Sequence, residues 1–175
     1  MESVLLEAPA GIEALLAWDP SVSVHDHRRI LARKLVAERL GLEEKEVRVE
    51  REAPRQFGYH TQLIASNRDG DAEIPLTIKT ASFRAATVVA IGDPAVPMGI
   101  DIRDVHPEDT DLRTMRRHSH LPNEDDVEAL LTHWVQVQAV LEADGRGVRV
   151  APEHVKLDTG RHRGWVPDRR VVYSL

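Results

Sequence analysis

Asp101 and Arg103 stand two residues apart, and Gln138 and Glu142 stand one helical turn apart. These are the groups whose types and spacing can do chemistry. On an extended segment, residues i and i+2 share a face, so Asp101 and Arg103 form a structural ion pair side by side, or Asp101 has a functional role. Val127, Leu130, Leu131, Trp134, Val135 and Leu141 recur at the intervals of a core-facing helical stripe. Continued toward the C-terminus, that stripe passes through Gln138 and Glu142. A buried polar group without a partner costs on the order of 1–3 kcal/mol, so two readings stand. Either the helix end leaves the core and both side chains reach solvent, or they meet a ligand or each other. His106 follows the Asp101 segment, and an imidazole there suits acid–base work. His133 precedes Trp134 and should point away from the stripe.

The other polar clusters read more plainly. There are nine histidines. His25-x-His27 and His118-x-His120 have the look of metal pairs on extended segments, but neither has a third ligand nearby in sequence, so exposed loop histidines are expected. Arg161, Arg163, Arg169 and Arg170 form a C-terminal basic cluster, which is a solvated face or a contact for a phosphate or an acidic protein.

The elements that must position these groups are two helices and a scatter of short strands. The first helix, about 27–40, pairs Leu31 with Leu35 and Val36 with Leu40. It is basic through Arg28, Arg29, Arg33, Lys34 and Arg39, and Gly41 ends it. The second runs about 125–143, with Asn123 as N-cap, acids in its first turn, and a stop at Asp144-Gly145. Strands are expected at 47–51, 74–78, 86–91, 96–102, 148–150, 155–157 and 170–173. In the fourth of these, Val96, Met98, Ile100 and Ile102 share one face, with Gly99, Asp101 and Arg103 on the other. A turn at Gly92-Asp93-Pro94, with Pro97 beyond it, falls near mid-chain. The order predicts an α+β protein of two similar halves, 1–97 and 98–175.

Composition narrows the function classes. The 175 residues are 42% hydrophobic and 30% charged with a net charge of −6, which predicts a folded domain. The acidic balance argues against nucleic acid as a partner, and 4% aromatics are too few for stacking on single strands. No apolar run approaches the ~18 residues of a membrane span, and the acidic start is not a signal peptide. There is no cysteine, so disulfides, thiolate metal sites and Cys nucleophiles are excluded and a cytoplasmic setting fits. There is no Gly-rich phosphate loop.

Taken together, Gly99-Ile100-Asp101-Ile102-Arg103, Trp134 through Glu142, and Gly145-Arg146-Gly147 resemble the motifs of the phosphopantetheinyl transferase superfamily, in its two-lobed, surfactin-synthetase-activator-like branch. Those motifs are Gly-Ile-Asp-Ile-Glu, then Trp-x-x-Lys-Glu-Ala/Ser-x-x-Lys, then Gly-x-Gly. The spacing between them, Arg116-Arg117 and the basic first helix also fit, and the resemblance spans about 25–160. It implies a fold of two pseudo-symmetric α+β lobes. In the family, coenzyme A and Mg²⁺ lie in the cleft between the lobes, two strand carboxylates and a helix Glu hold the metal, and a carrier-protein serine attacks the β-phosphate as 3′,5′-ADP leaves. Mg²⁺ is a hard ion that takes oxygen ligands and neutralises diphosphate charge.

Mapped onto this chain, Asp101 matches the first metal ligand, Arg103 replaces the second and Gln138 replaces the third. Glu142 stands where the motif has a Lys. Thr80-Ala81-Ser82 occupies the place of a Ser-His-Ser strand end, with Ala81 at the coenzyme A-contacting His. The framework residues Gly99, Ile100, Ile102, Trp134, Ala139, Gly145 and Gly147 are kept. The expectation is therefore a divergent member that has lost efficient Mg²⁺-dependent transfer, requires no cofactor, and acts on a carrier-protein- or coenzyme A-linked substrate. Glu142, Asp101 or His106 would be acid or base, with Arg103, Gln138, Trp134, Ser82 and Arg29 around the substrate. Arg103 and Glu142 would face each other as a swapped ion pair. The alternatives are an active transferase that still uses coenzyme A and Mg²⁺ at an unusual metal site, and a non-catalytic module binding an acyl or peptidyl carrier protein.

Overall fold

The structure, a computed structural model, describes residues 2–51, 63–119, 121 and 125–175. It is an α+β protein that divides into two compact units, Met1–Ala95 and Val96–Leu175.

The first unit is one antiparallel sheet with a helix on it. Its strands are β1 (Ser3–Leu6), β2 (Ile12–Trp18), β3 (Val47–Arg51), β4 (Leu63–Asn67), β5 (Glu73–Phe83) and β6 (Ala86–Gly92), in the spatial order β1-β2-β6-β5-β4-β3. Helix α1 (Val24–Leu40) starts where Ser23 accepts from the Asp26 N–H and ends at Gly41. Its buried residues Leu31, Ala32, Leu35 and Val36 pack on the sheet. Register decides which residues meet them. Leu15 pairs with Val89, Val89 with Thr80, Ile91 with Ile78, and Val49 with Ala65, so alternate residues of neighbouring strands share the α1-facing side. β5 and β6 are joined by the two-residue turn Arg84-Ala85, with Phe83 paired to Ala86. β1 forms one edge of the sheet and leaves Val4 and Leu5 exposed.

The second unit holds helices α2 (Asp109–His118) and α3 (Val127–Asp144) and a three-stranded antiparallel sheet of β7 (Lys156–Asp158), β8 (Arg163–Trp165) and β9 (Val172–Ser174). Val137, Val140 and Leu141 of α3 form its core with Val150, Val155, Val166 and Tyr173.

Several sequence expectations are corrected here. The segment 96–102 is not a strand. Only Met98 bridges, in parallel, to Ser174, with Gly99 N donating to Ser174 O and Ser174 N to Pro97 O, each at 2.9 Å. Pro97, immediately before Met98, has no N–H to give, so the ladder cannot extend on that side of the bridge. The residues expected as a strand at 148–150 fall at the 3₁₀ turn Gly147–Arg149. β1, β2, β4, β8 and α2 were not foreseen. Asn123, expected as the N-cap of α3, lies outside the described residues, and Asp126 accepts from the Ala129 N–H at 3.0 Å in the capping role.

Candidate functional site

The residues that the resemblance would place on Mg²⁺ lie in the second unit. Asp101 sits on the irregular segment that follows Met98, with its side chain 12% exposed. Arg103 Nε donates to its Oδ2 at 2.8 Å. Burial pushes the Asp101 carboxyl above its ordinary value, and the Arg103 hydrogen bond and charge oppose that without overcoming it. Thus one of the two carboxylate oxygens is already engaged by a guanidinium.

Along α3 the buried row is Leu130, Val137, Val140, Leu141 and Asp144. Glu142 is exposed, and Gln138 and Trp134 are half-buried. This corrects the expectation that the buried stripe runs through Gln138 and Glu142: the carboxylate on the buried face is Asp144, two residues further on. His106 is exposed, its backbone N–H donating to Asp104 at 3.0 Å.

These donors do not fit a family-type Mg²⁺ site. One carboxylate is already engaged by Arg103, the second position is that arginine, and the third is a neutral amide. Among the described residues no three His, Asp or Glu side chains gather as ligands.

Asp144 has a structural explanation. Its side chain is fully buried. Arg146 donates to both its oxygens and to both oxygens of Asp168, while Arg169 donates to its backbone carbonyl at 3.1 Å. Tyr173 Oη completes the set at 3.5 Å. Arg146 holds the carboxyls of Asp144 and Asp168 below the usual range. Gly145, at φ 76°, turns the chain so that Arg146 folds back on the helix end. Cations here also suit the negative end of the α3 dipole. Of the C-terminal arginines, Arg169 is therefore a structural partner of α3, while Arg163 and Arg170 are exposed.

The histidine pairs also differ from expectation. His25 and His27 lie on α1, not on an extended loop, and His27 is fully buried with no hydrogen-bond partner for either ring nitrogen among the described residues. His118 ends α2, with its Nδ1 2.8 Å from Glu153 Oε2 and its ring 6.2 Å from that of Trp134. His120 lies outside the described residues.

A second place with chemical character lies wholly in the first unit. Register puts Arg51 opposite Leu63 and Leu63 opposite Ile78, on the same side of the sheet as Thr80. The first turns of α1 pass over that side. His25, Arg28, Arg29, Arg51, Leu63 and Thr80 there line a pocket of about 290 Å³. Three arginines and a histidine converge with no carboxylate among the described lining residues. Arg28 is fixed by donating from Nε to Ser82 Oγ at 3.2 Å, and Ser82 Oγ lies 3.2 Å from Thr87 Oγ1. Arg51 donates to His25 Nδ1 at 3.2 Å. Like charges gathered in this way repel, and an anion relieves the repulsion by accepting from several donors at once.

Of the residues singled out from sequence, the structure thus places Arg29 in this pocket and Ser82 behind it. Asp101 and Arg103 pair in the second unit, where Trp134, Gln138 and Glu142 lie along α3. Arg51 was missed, while His25 and Thr80 were named only as part of a histidine pair and of a strand end, not as neighbours of the basic helix. A signal for Arg51 existed: in Val47-Arg48-Val49-Glu50-Arg51, alternation puts Arg51 on the apolar side.

No protein-family model matches the sequence, and the comparison with curated proteins finds no match.

Proposed function

We propose that this chain is a divergent phosphopantetheinyl-transferase-like protein of two pseudo-symmetric lobes. On this reading it has lost efficient Mg²⁺-dependent transfer and acts on a coenzyme A- or carrier-protein-linked substrate in biosynthesis. The observation that carries the reading is the Arg103–Asp101 hydrogen bond at 2.8 Å: a fixed cation occupies the carboxylate on which the family's metal would rest. The three-arginine pocket supports the substrate class. Its volume is at the low end for small-molecule sites, so it takes one phosphate-bearing end of such a molecule and leaves the rest outside. Asp101, raised by burial, is the group best suited to move a proton.

Two measurements test the proposal. In calorimetry, coenzyme A should bind equally well with Mg²⁺ or with EDTA, more weakly after Arg51→Ala, and more weakly when its 3′-phosphate is missing. Mass spectrometry of an apo carrier protein incubated with the protein, coenzyme A and Mg²⁺ should show no added phosphopantetheine. A rapid, EDTA-sensitive mass gain overturns the reading in favour of the ordinary transferase, and absence of coenzyme A binding removes its substrate class.

A further inference from the structure

Within the pocket, the contact between Arg51 and His25 carries information that the charge count does not. A guanidinium has only N–H donors, so its approach to His25 Nδ1 at 3.2 Å requires that nitrogen to present a lone pair. The tautomer that fits this contact carries its proton on Nε2. Among the described residues His25 is the one acceptor ring in the pocket, whose other described polar lining groups are Arg28, Arg29, Arg51 and the Thr80 hydroxyl. Among the described residues the charged groups facing it are cations, from α1 itself and from β3; Leu63 and Thr80, from β4 and β5, bring no charge. Asp26, its neighbour on α1, is turned to Ser23, whose Oγ it accepts at 2.6 Å.

We infer that the pocket takes up a dianionic phosphate or sulfate group together with one proton, which goes to His25. The inference rests on the anion-binding reading of the pocket given above. An oxyanion entering between Arg51 and His25 accepts from Arg51, which then no longer needs the imidazole lone pair. His25 Nδ1 takes a proton from solvent and becomes a second donor to the same group. Among the described lining residues the formal charge rises from three cations to four, so the added charge appears only when the anion is there to meet it. The anion's two negative charges are what make this uptake favourable, and a monoanion gains less from it. His25 thereby acts as a specificity-determining residue that favours terminal phosphate monoesters over diesters and carboxylates.

Sulfate is the probe of choice, because it stays a dianion at neutral pH and cannot itself supply or take the proton. Titration calorimetry near neutral pH in two buffers of different ionisation heat gives the number of protons taken up. The expected result is fractional to full uptake of one proton, affinity rising by up to tenfold per unit fall in pH, and binding of a methyl phosphodiester several-fold weaker. His25→Gln should abolish the uptake and the pH dependence while retaining weaker binding, with a thermal melt unchanged from the parent. Sulfate binding without uptake, or with uptake persisting in His25→Gln, overturns the role of His25 and leaves the anion site standing. No sulfate binding at all, in a protein whose melt is normal, overturns both.

Discussion

Gly99 lies against the Ala139 carbonyl of α3 so closely that a Cβ on residue 99 would overlap it and press on the Ala143 methyl. The segment cannot retreat, because the Gly99 N–H is bonded to Ser174 O at 2.9 Å. Gly99→Ala should therefore destabilise the protein by about 1–3 kcal/mol or more, read as a lowered urea midpoint. An unchanged midpoint would mean that α3 shifts freely. The packing also explains why a glycine heads this segment, whatever chemistry follows it.

Asp101 should behave as a group that costs stability when ionised. Its folded-state pKa is raised by burial, so the folded protein holds the proton more tightly than the unfolded chain. Stability then falls as pH rises through the ordinary carboxylate value and the raised one. Asp101→Asn is expected to raise Tm at pH 7, with the difference vanishing in acid. Arg103, more than a third exposed, remains solvated without its partner. A lower Tm for the variant at neutral pH would show that the ion pair outweighs the burial.

The Asp144–Arg146–Asp168 group has the opposite sign. Both carboxyls are held below the usual range, so their contribution is present above the unfolded value of about 3.9 and is lost as pH falls through the lowered values. Acid unfolding followed by circular dichroism should therefore begin near or below pH ~4, in that linkage window. In Asp144→Asn this loss should be smaller. Arg146→Ala should lower Tm by several degrees at pH 7, and adding Asp144→Asn should recover part of it by removing the stranded buried charge.

Placing a carboxylate at position 103 tests the proposal that a family-type metal site has been lost. Arg103→Glu removes the guanidinium from Asp101 and sets two carboxylates side by side. Since Mg²⁺ is commonly held by one or two carboxylates plus substrate phosphates, coenzyme A binding to this variant should become stronger with Mg²⁺, by calorimetry, while the parent shows no change. Equal Mg²⁺ indifference in a folded variant would mean that position 103 does not govern the ion.

How much of this could be read from the sequence depended on local signals. α1 was legible from its four-residue pairs and the stop at Gly41, and β3, β5 and β6 from alternation or apolar runs. α2 was not, because a helix with only Leu112 and Met115 as large apolar side chains has too little apolar pattern to show. α3 was found, but its phase was misjudged. It is apolar on nearly every side, from Leu131 and Trp134 round to Val137 and Val140, so periodicity alone could not choose the inward row. The choice is made by Arg146, Asp168, Arg169 and Tyr173, which lie beyond the helix and draw Asp144 in. The pocket was half legible for the same reason. Its basic helix shows in the sequence, but Arg51 and Thr80 reach it only through strand pairing.

The two-residue turn at Arg84-Ala85 acts as a length gauge for that pocket. Because side chains alternate across a sheet, one inserted residue that slid β5 by a single position against β6 would turn Thr80 and Ser82 to the opposite side, and Lys79 and Ala81 would replace them beneath α1. Arg28 would lose its hydroxyl anchor, and a methyl and an ammonium would stand where the pocket has two hydroxyl groups. The proposed anion site is thus exposed to a change of length at a turn that carries none of its lining residues, and homologous chains that keep the three arginines but lengthen this turn by one should not share the proposed anion preference.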